Sequence, residues 1–183
     1  MSKIPLITRE EIPVEKQYIY DAISGTRGSV LNVFRTLLNS VDAAEAVANV
    51  GAYIRYKSPL DPAIRETTIL ATAREMNVPY EWAHHEPVAL ESGVRKEVIE
   101  AIRSGKAPMG LPPKEGVFVQ AAKELVHEGS LRDATFQAII HLIGTAQTID
   151  LIILVGYYSM LGTILTVFDV ELDDGTKADL PNI

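Results

Sequence analysis

A chain of 183 residues, 47% apolar and 22% charged, has the composition of one globular domain large enough to bury a core. Its formal net charge of −7 and the absence of any run of Lys or Arg exclude a phosphate-backbone binder, so nucleic acid is not an expected partner. With no cysteine, disulfide frameworks, zinc ribbons and thiol nucleophiles are ruled out, and a reducing, cytoplasmic setting is expected. The acidic balance still admits a small anionic substrate, for which a few local arginines suffice.

The start, "MSKIPLITREEIPVEK", shows no basic stretch followed by an apolar one, so no signal peptide is read there. One domain is expected over 1–183, with 1–12 and 171–183 as extended tails. The pattern between them is helical throughout, with no alternating strand, and "SVLNVFRTLLNS" and "DAAEAVANVGAYIRY" are the first helix-like runs. "SPLDPAIRETTILATAREM" opens with Asp61 as N-cap and Pro62 at the first helical position. Asn77 and Pro79 break that helix; the next, "YEWAHHEPVALESG", ends at Ser92–Gly93, where glycine suits the left-handed conformation. "VRKEVIEAIRSG" reads as a short helix and "GKAPMGLPPKEG" as the one substantial loop. "VFVQAAKELVHEG" and "SLRDATFQAIIHLIG" form a helical pair, the second with a capping-box-like start at Ser130 and Asp133.

From Leu151 to Phe168 the chain is uncharged for about 18 residues, the lower edge of a membrane-span length. Glycines, tyrosines, Ser159 and threonines interrupt it, its flanks are acidic (Asp150, Asp169, Glu171), and no Lys or Arg anchors either end. The reading is therefore no membrane span but the central helix of a soluble, oligomeric all-α bundle.

Two of the four histidines, His84 and His85, are adjacent. At about 100° per residue, His85 shares its side with Glu81, Trp82, Val88 and Ala89, while His84 turns toward Tyr80, Pro87 and Glu91. On the preceding helix Glu66 lies in a stripe with Ile69, Leu70, Ala73 and Met76. A carboxylate in an apolar stripe is costly unless paired or used. With only a tight turn between the two helices, Glu66 and the Glu81/His85 face are expected to meet as a proton-transfer site. Tyr80, Trp82 and His84 are candidate substrate contacts. For a substrate carboxylate Arg27, Arg35 and Arg55 are candidates, Arg35 first because it interrupts "VLNVFRTLL".

Glu-x-x-His occurs twice, at Glu81/His84 and Glu124/His127, the spacing of carboxylate-bridged di-iron bundles. Those sites need further glutamates from two other helices, and only Glu66 and Glu45 are on hand, so the expectation is no metal. His141, in "AIIHLIG", reads as a core or interface histidine.

The run "RETTILATAREMNVPYEWAHHEPVALESGV" resembles the carboxymuconolactone decarboxylase family, relatives of the AhpD-type alkylhydroperoxidases, as do "AISGTRGSVLNVFRTLLNS" upstream and "LIGTAQTIDLIILVGYYSMLGTILTVF" downstream. The resemblance implies an all-α AhpD-like bundle assembled as a homotrimer or homohexamer. It places the family's glutamate at Glu66 and the histidine of its E-W-x-x-H run at His85. In the peroxidase branch a C-x-x-C pair precedes that histidine; here those positions read Val78 and Glu81, which excludes thiol peroxidase chemistry. The implied reaction is a cofactor-free decarboxylation of a lactone carboxylate through a dienolate. His85 would be the proton donor, Glu66 its orienting or acid–base partner, and Glu81 a tuning group. The alternatives are another enolate-forming lyase or isomerase reaction at the same site, or a non-catalytic oligomeric scaffold.

Overall fold

The computed structural model describes residues 2–105 and 110–181, and its regular structure there is entirely helical. The α-helices are α1 (Gln17–Arg27), α2 (Asn32–Leu37), α3 (Val41–Tyr56), α4 (Pro62–Glu75), α5 (Pro79–Glu91), α6 (Lys96–Arg103), α7 (Pro113–Glu128) and α8 (Asp133–Val167). The chain divides into two compact units. One holds the residues up to Lys57 together with Thr163–Gly175; the other holds Ser58–Gly162 and the chain from Thr176.

In the first unit α1 and α2 pack against α3. Helix α1 was not anticipated from the sequence. It buries Ile19 and Ile23, four residues apart, and stops at Gly28, whose φ of 80° no β-carbon-bearing residue adopts cheaply. The terminal segments are tied down, and the first of them carries a 3-10 turn at Arg9–Glu11 where an extended tail was expected. The Lys3 N–H donates to the Phe168 carbonyl at 2.8 Å, and Asp173 accepts the Asn32 N–H at 2.9 Å.

In the second unit α4 packs against α5, α6 and α7. Its start is as expected: Asp61 Oδ1 accepts the N–H groups of Ala63 (2.9 Å) and Ile64 (3.2 Å), and Pro62 occupies the first helical position. Asn77, at φ 52°, turns the chain into α5, which opens on Pro79. Every residue of α4 from Glu66 to Arg74 is buried. Two of its threonines satisfy their hydroxyls within the helix: Thr68 Oγ1 donates to the Ile64 carbonyl and Thr72 Oγ1 to the Thr68 carbonyl, each at 2.8 Å. Nine consecutive buried residues make α4 a central element of the second unit.

The expected loop over 105–116 lies partly on residues 106–109, outside the described residues. Its end is not loop, because Pro113 already begins α7 at the position where a missing N–H is harmless. Nor does Ser130 cap the following helix, which starts at Asp133. Glu124 of α7 anchors that start from the neighbouring helix. It accepts the Arg132 N–H at 3.0 Å and the Thr135 hydroxyl at 2.9 Å.

Helix α8 consists of two segments, 133–143 and 145–167, meeting at Gly144 with φ 73° and ψ 171°. Ile139 of the first and Leu151 of the second both pack on Phe118 and Ala121 of α7. By length and composition α8 suffices to cross a membrane, yet only 33% of its most apolar window is buried. Ile149, Ile152, Ile153, Gly156 and Met160, at helical spacing, line an exposed stripe. On its other side Asp150 accepts the Ser58 hydroxyl at 2.6 Å, and Gly162 passes so near α5 that an added β-carbon would lie 2.9 Å from Val78 Cγ2.

Candidate active site

The α4–α5 turn sets Glu66, Glu81 and His85 together, all buried within the second unit. Glu66 Oε2 lies 2.7 Å from His85 Nδ1, and the carboxylate's other oxygen accepts the Arg65 Nε–H at 3.1 Å. A carboxylate against Nδ1 fixes that nitrogen as the N–H donor and leaves Nε2 as the nitrogen that exchanges a proton. His85 Nε2 faces Glu81 Oε2 at 3.8 Å, one helical turn back along α5. Tyr158 of α8 meets the imidazole edge-on, ring centroids 5.0 Å apart.

Burial pushes the Glu66 carboxyl upward. The hydrogen bond and charge of His85, together with those of Arg65, outweigh it and hold Glu66 below its usual range. An ionised carboxylate so placed is a close charge partner for the His85 ring, shielded from solvent. The arrangement can hold a proton on an imidazole, deliver it from one defined nitrogen, and stabilise a neighbouring negative charge.

The other expected contacts are distributed differently. His84 is half-buried with its ring against Tyr80, centroids 4.8 Å apart, so these two side chains keep company at the start of α5. Trp82 is fully buried. Its indole N–H donates to Glu86 at 3.0 Å, and the Arg103 guanidinium lies 5.2 Å from its ring centroid. A buried indole needs a partner for its N–H, and finding one in Glu86 makes Trp82 a core residue facing α6 rather than an open pocket wall.

Arg35 belongs to the first unit, where its guanidinium donates to the Leu6 carbonyl at 3.0 Å and the Ile7 carbonyl at 3.4 Å, fastening the N-terminal segment. Arg27 likewise donates to the Ala48 carbonyl at 3.0 Å and covers the Phe34 ring. The sequence reading missed Arg65 and Tyr158. A cation directly before the striped Glu66 was one available signal; a tyrosine pair inside an apolar run was the other, since buried phenols are placed for their hydroxyls.

The Glu-x-x-His pairs do not converge as a di-iron centre requires. Glu124 is engaged by Gln120, Arg132 and Thr135, while His127, half-exposed, pairs with Glu75 at 2.7 Å. Glu45 belongs to the first unit and accepts the Tyr18 hydroxyl. Among the described residues no three His, Asp or Glu side chains are grouped to hold a metal. His141 is exposed, not a core residue.

Residues 42–124, which carry Glu66, Glu81 and His85, match the model of the Carboxymuconolactone decarboxylase family. No curated protein matches the chain. Among solved structures, the chain is similar to an uncharacterized peroxidase-related protein of the alkylhydroperoxidase AhpD core from Ralstonia eutropha JMP134. That alignment has 17% identity and a TM-score of 0.78, covering 94% of this chain and 93% of that one. It is also similar to an uncharacterized peroxidase-related protein from Silicibacter sp. TM1040, at 14% identity and a TM-score of 0.74, covering 98% of this chain and 93% of that one. The fold is therefore AhpD-like and all-α, with the apolar helix as a member of the bundle.

Proposed function

We propose that this chain is a cofactor-free lyase of the carboxymuconolactone decarboxylase type, acting on a small lactone carboxylate in the cytoplasm. The observation that carries the reading is the buried 2.7 Å contact between Glu66 Oε2 and His85 Nδ1. In the reaction the bond from ring carbon to carboxylate breaks and carbon dioxide leaves. The electron pair passes through the conjugated double bond onto the lactone carbonyl, forming a dienolate. His85, as imidazolium, donates its Nε2 proton to a ring carbon and restores the lactone. Glu66 keeps Nδ1–H oriented and stabilises the positive charge before transfer. Glu81, 3.8 Å from Nε2, influences its reprotonation.

The absence of cysteine removes any thiol route of the peroxidase kind, whatever the peroxidase-related structures catalyse. The working form is a homo-oligomer, trimeric or hexameric, with the apolar stripe of α8 covered by a second copy. Exposed Ile149, Ile152, Ile153 and Met160 support this, since isolated apolar side chains are ordinary at a surface but a helical stripe of them is not.

The deciding experiment follows carbon dioxide release from γ-carboxymuconolactone, with and without chelator, using His85→Gln as the control. Chelator-resistant turnover that disappears in His85→Gln is the expected result. No turnover would remove this substrate and move the search to other enolate-forming lactones and ketones. Turnover unchanged in His85→Gln would remove His85 as the proton donor.

A further inference from the structure

We infer that Arg65 seats an anionic group of the substrate beside His85, and that this group is the carboxylate the reaction retains. The inference rests on the decarboxylase-type reading for the lactone part of the ligand. Arg65 stands directly before Glu66 on α4, and the Glu66 carboxylate bridges the two cations, taking Arg65 Nε–H on one oxygen and His85 Nδ1 on the other. A guanidinium carries five N–H donors in one plane. The Nε–H is engaged by Glu66, whereas the Nη1/Nη2 fork makes no hydrogen bond to any described protein residue.

The Arg65 side chain is only 14% exposed, shielded yet reachable. Arg103, at 15%, shows what such a position ordinarily requires: its donors are taken up by Glu86, Glu100 and Asp179. More deeply buried Arg74 gives Nη1 to the Pro181 carbonyl at 2.7 Å, although its Nε finds no acceptor among the described residues. A largely desolvated fork without protein acceptors is unfavourable unless an anion or water completes it. Its planar geometry matches a carboxylate bidentately. The Nε bond to Glu66 fixes the fork relative to His85, so one carboxylate positions both the seat and the proton donor.

The retained carboxylate, not the departing one, belongs there. A cation clamped on the leaving carboxylate would stabilise charge that the transition state must move into the ring, raising the barrier. A cation on a spectator carboxylate binds ground and transition states alike and fixes orientation.

The test uses two probes in titration calorimetry: a butenolide bearing one acetate carboxylate, the product-side lactone, and its neutral methyl ester. The acid is expected to bind wild type, to lose roughly 30-fold or more in Arg65→Gln, and to lose less than about 3-fold in His85→Gln. The ester should bind Arg65→Gln and wild type equally, an equality that a merely structural role for Arg65 would not predict. Arg65→Lys keeps a charge beside Glu66 without the fork; it guards against misfolding of the glutamine variant and should weaken the acid by about 10-fold.

Equal binding of the acid to wild type and to both variants overturns the assignment. So does equal affinity of wild type for acid and ester, or failure of wild type to bind the acid. The two readings part cleanly. Arg65-dependent acid binding without decarboxylation of the carboxylated lactone defeats the reaction and keeps the seat; turnover with KM unchanged in Arg65→Gln does the reverse.

Discussion

Between Glu66 and Arg74, α4 is buried on every side although Glu66, Thr67, Thr68, Thr72 and Arg74 are polar. Across 149–160, α8 leaves Ile149, Ile152, Ile153 and Met160 exposed although they are apolar. Composition alone would exchange the two helices' places. Polar atoms with partners supplied by their own helix or by an adjacent one can be buried at little cost. Apolar side chains need a covering surface, and for that stripe the described residues of this chain supply none.

The strongest way to break this comparison is to remove a partner from the centre of α4. Glu66→Ala should cost about 3 kcal/mol in urea unfolding, because it strips the acceptor from both His85 and Arg65 in a buried setting. A loss below about 1 kcal/mol would mean that the pair is not integral to the core. The same carboxylate gives a pH signature. Its folded pKa lies below the usual 4.5, so the unfolded chain binds more protons in acid. The stability it contributes is present above about 4.5 and is lost as pH falls through the folded value. Urea midpoints measured from neutral pH downward should therefore fall less steeply in Glu66→Gln than in wild type.

Gly162→Ala comes next. The new methyl would press on Val78, a stiff β-branched residue directly before α5, and should cost about 1–2 kcal/mol in thermal unfolding. At the surface of α8, Ile153→Glu should change stability within a protomer by less than about 0.5 kcal/mol. In light scattering it should convert the proposed oligomer into smaller species, and an unchanged mass would remove this stripe as the assembly face. The smallest effect belongs to Thr72→Val. Its hydroxyl bonds only to the preceding turn of its own helix, so the swap should move the unfolding midpoint by no more than about 0.5 kcal/mol.

Local signals were legible in the sequence. Asp61–Pro62 marked the start of α4, Asn77–Pro79 its break and Gly93 the end of α5, because each is a backbone requirement that one residue type meets. The approach of Glu66 to His85 also followed from two periodic stripes joined by a short turn. What escaped depends on partners distant in sequence. Glu124 looked like half of a metal motif because Arg132 and Thr135 lie beyond a helix boundary. Trp82 looked available because nothing nearby announces Arg103. Arg65 went unremarked beside Arg27, Arg35 and Arg55, because an isolated helix wheel does not show which arginines find acceptors. The central place of α4 was hidden by its threonines, whose polarity is satisfied internally.

At Val78 and Glu81, where the peroxidase branch resembled by the sequence carries its two sulfurs, this chain has none, and the proposed site offers nitrogen and oxygen alone. Arg65, Glu66, Glu81 and His85 have no oxidation ladder to climb. Turnover should be the same in fresh reductant, in air and after exposure to peroxide, with no recycling partner needed to reset it. A thiol-based site on this scaffold is tied to the reducing power of its surroundings; the proposed Glu66/His85 chemistry would be released from that supply and would answer to proton activity instead.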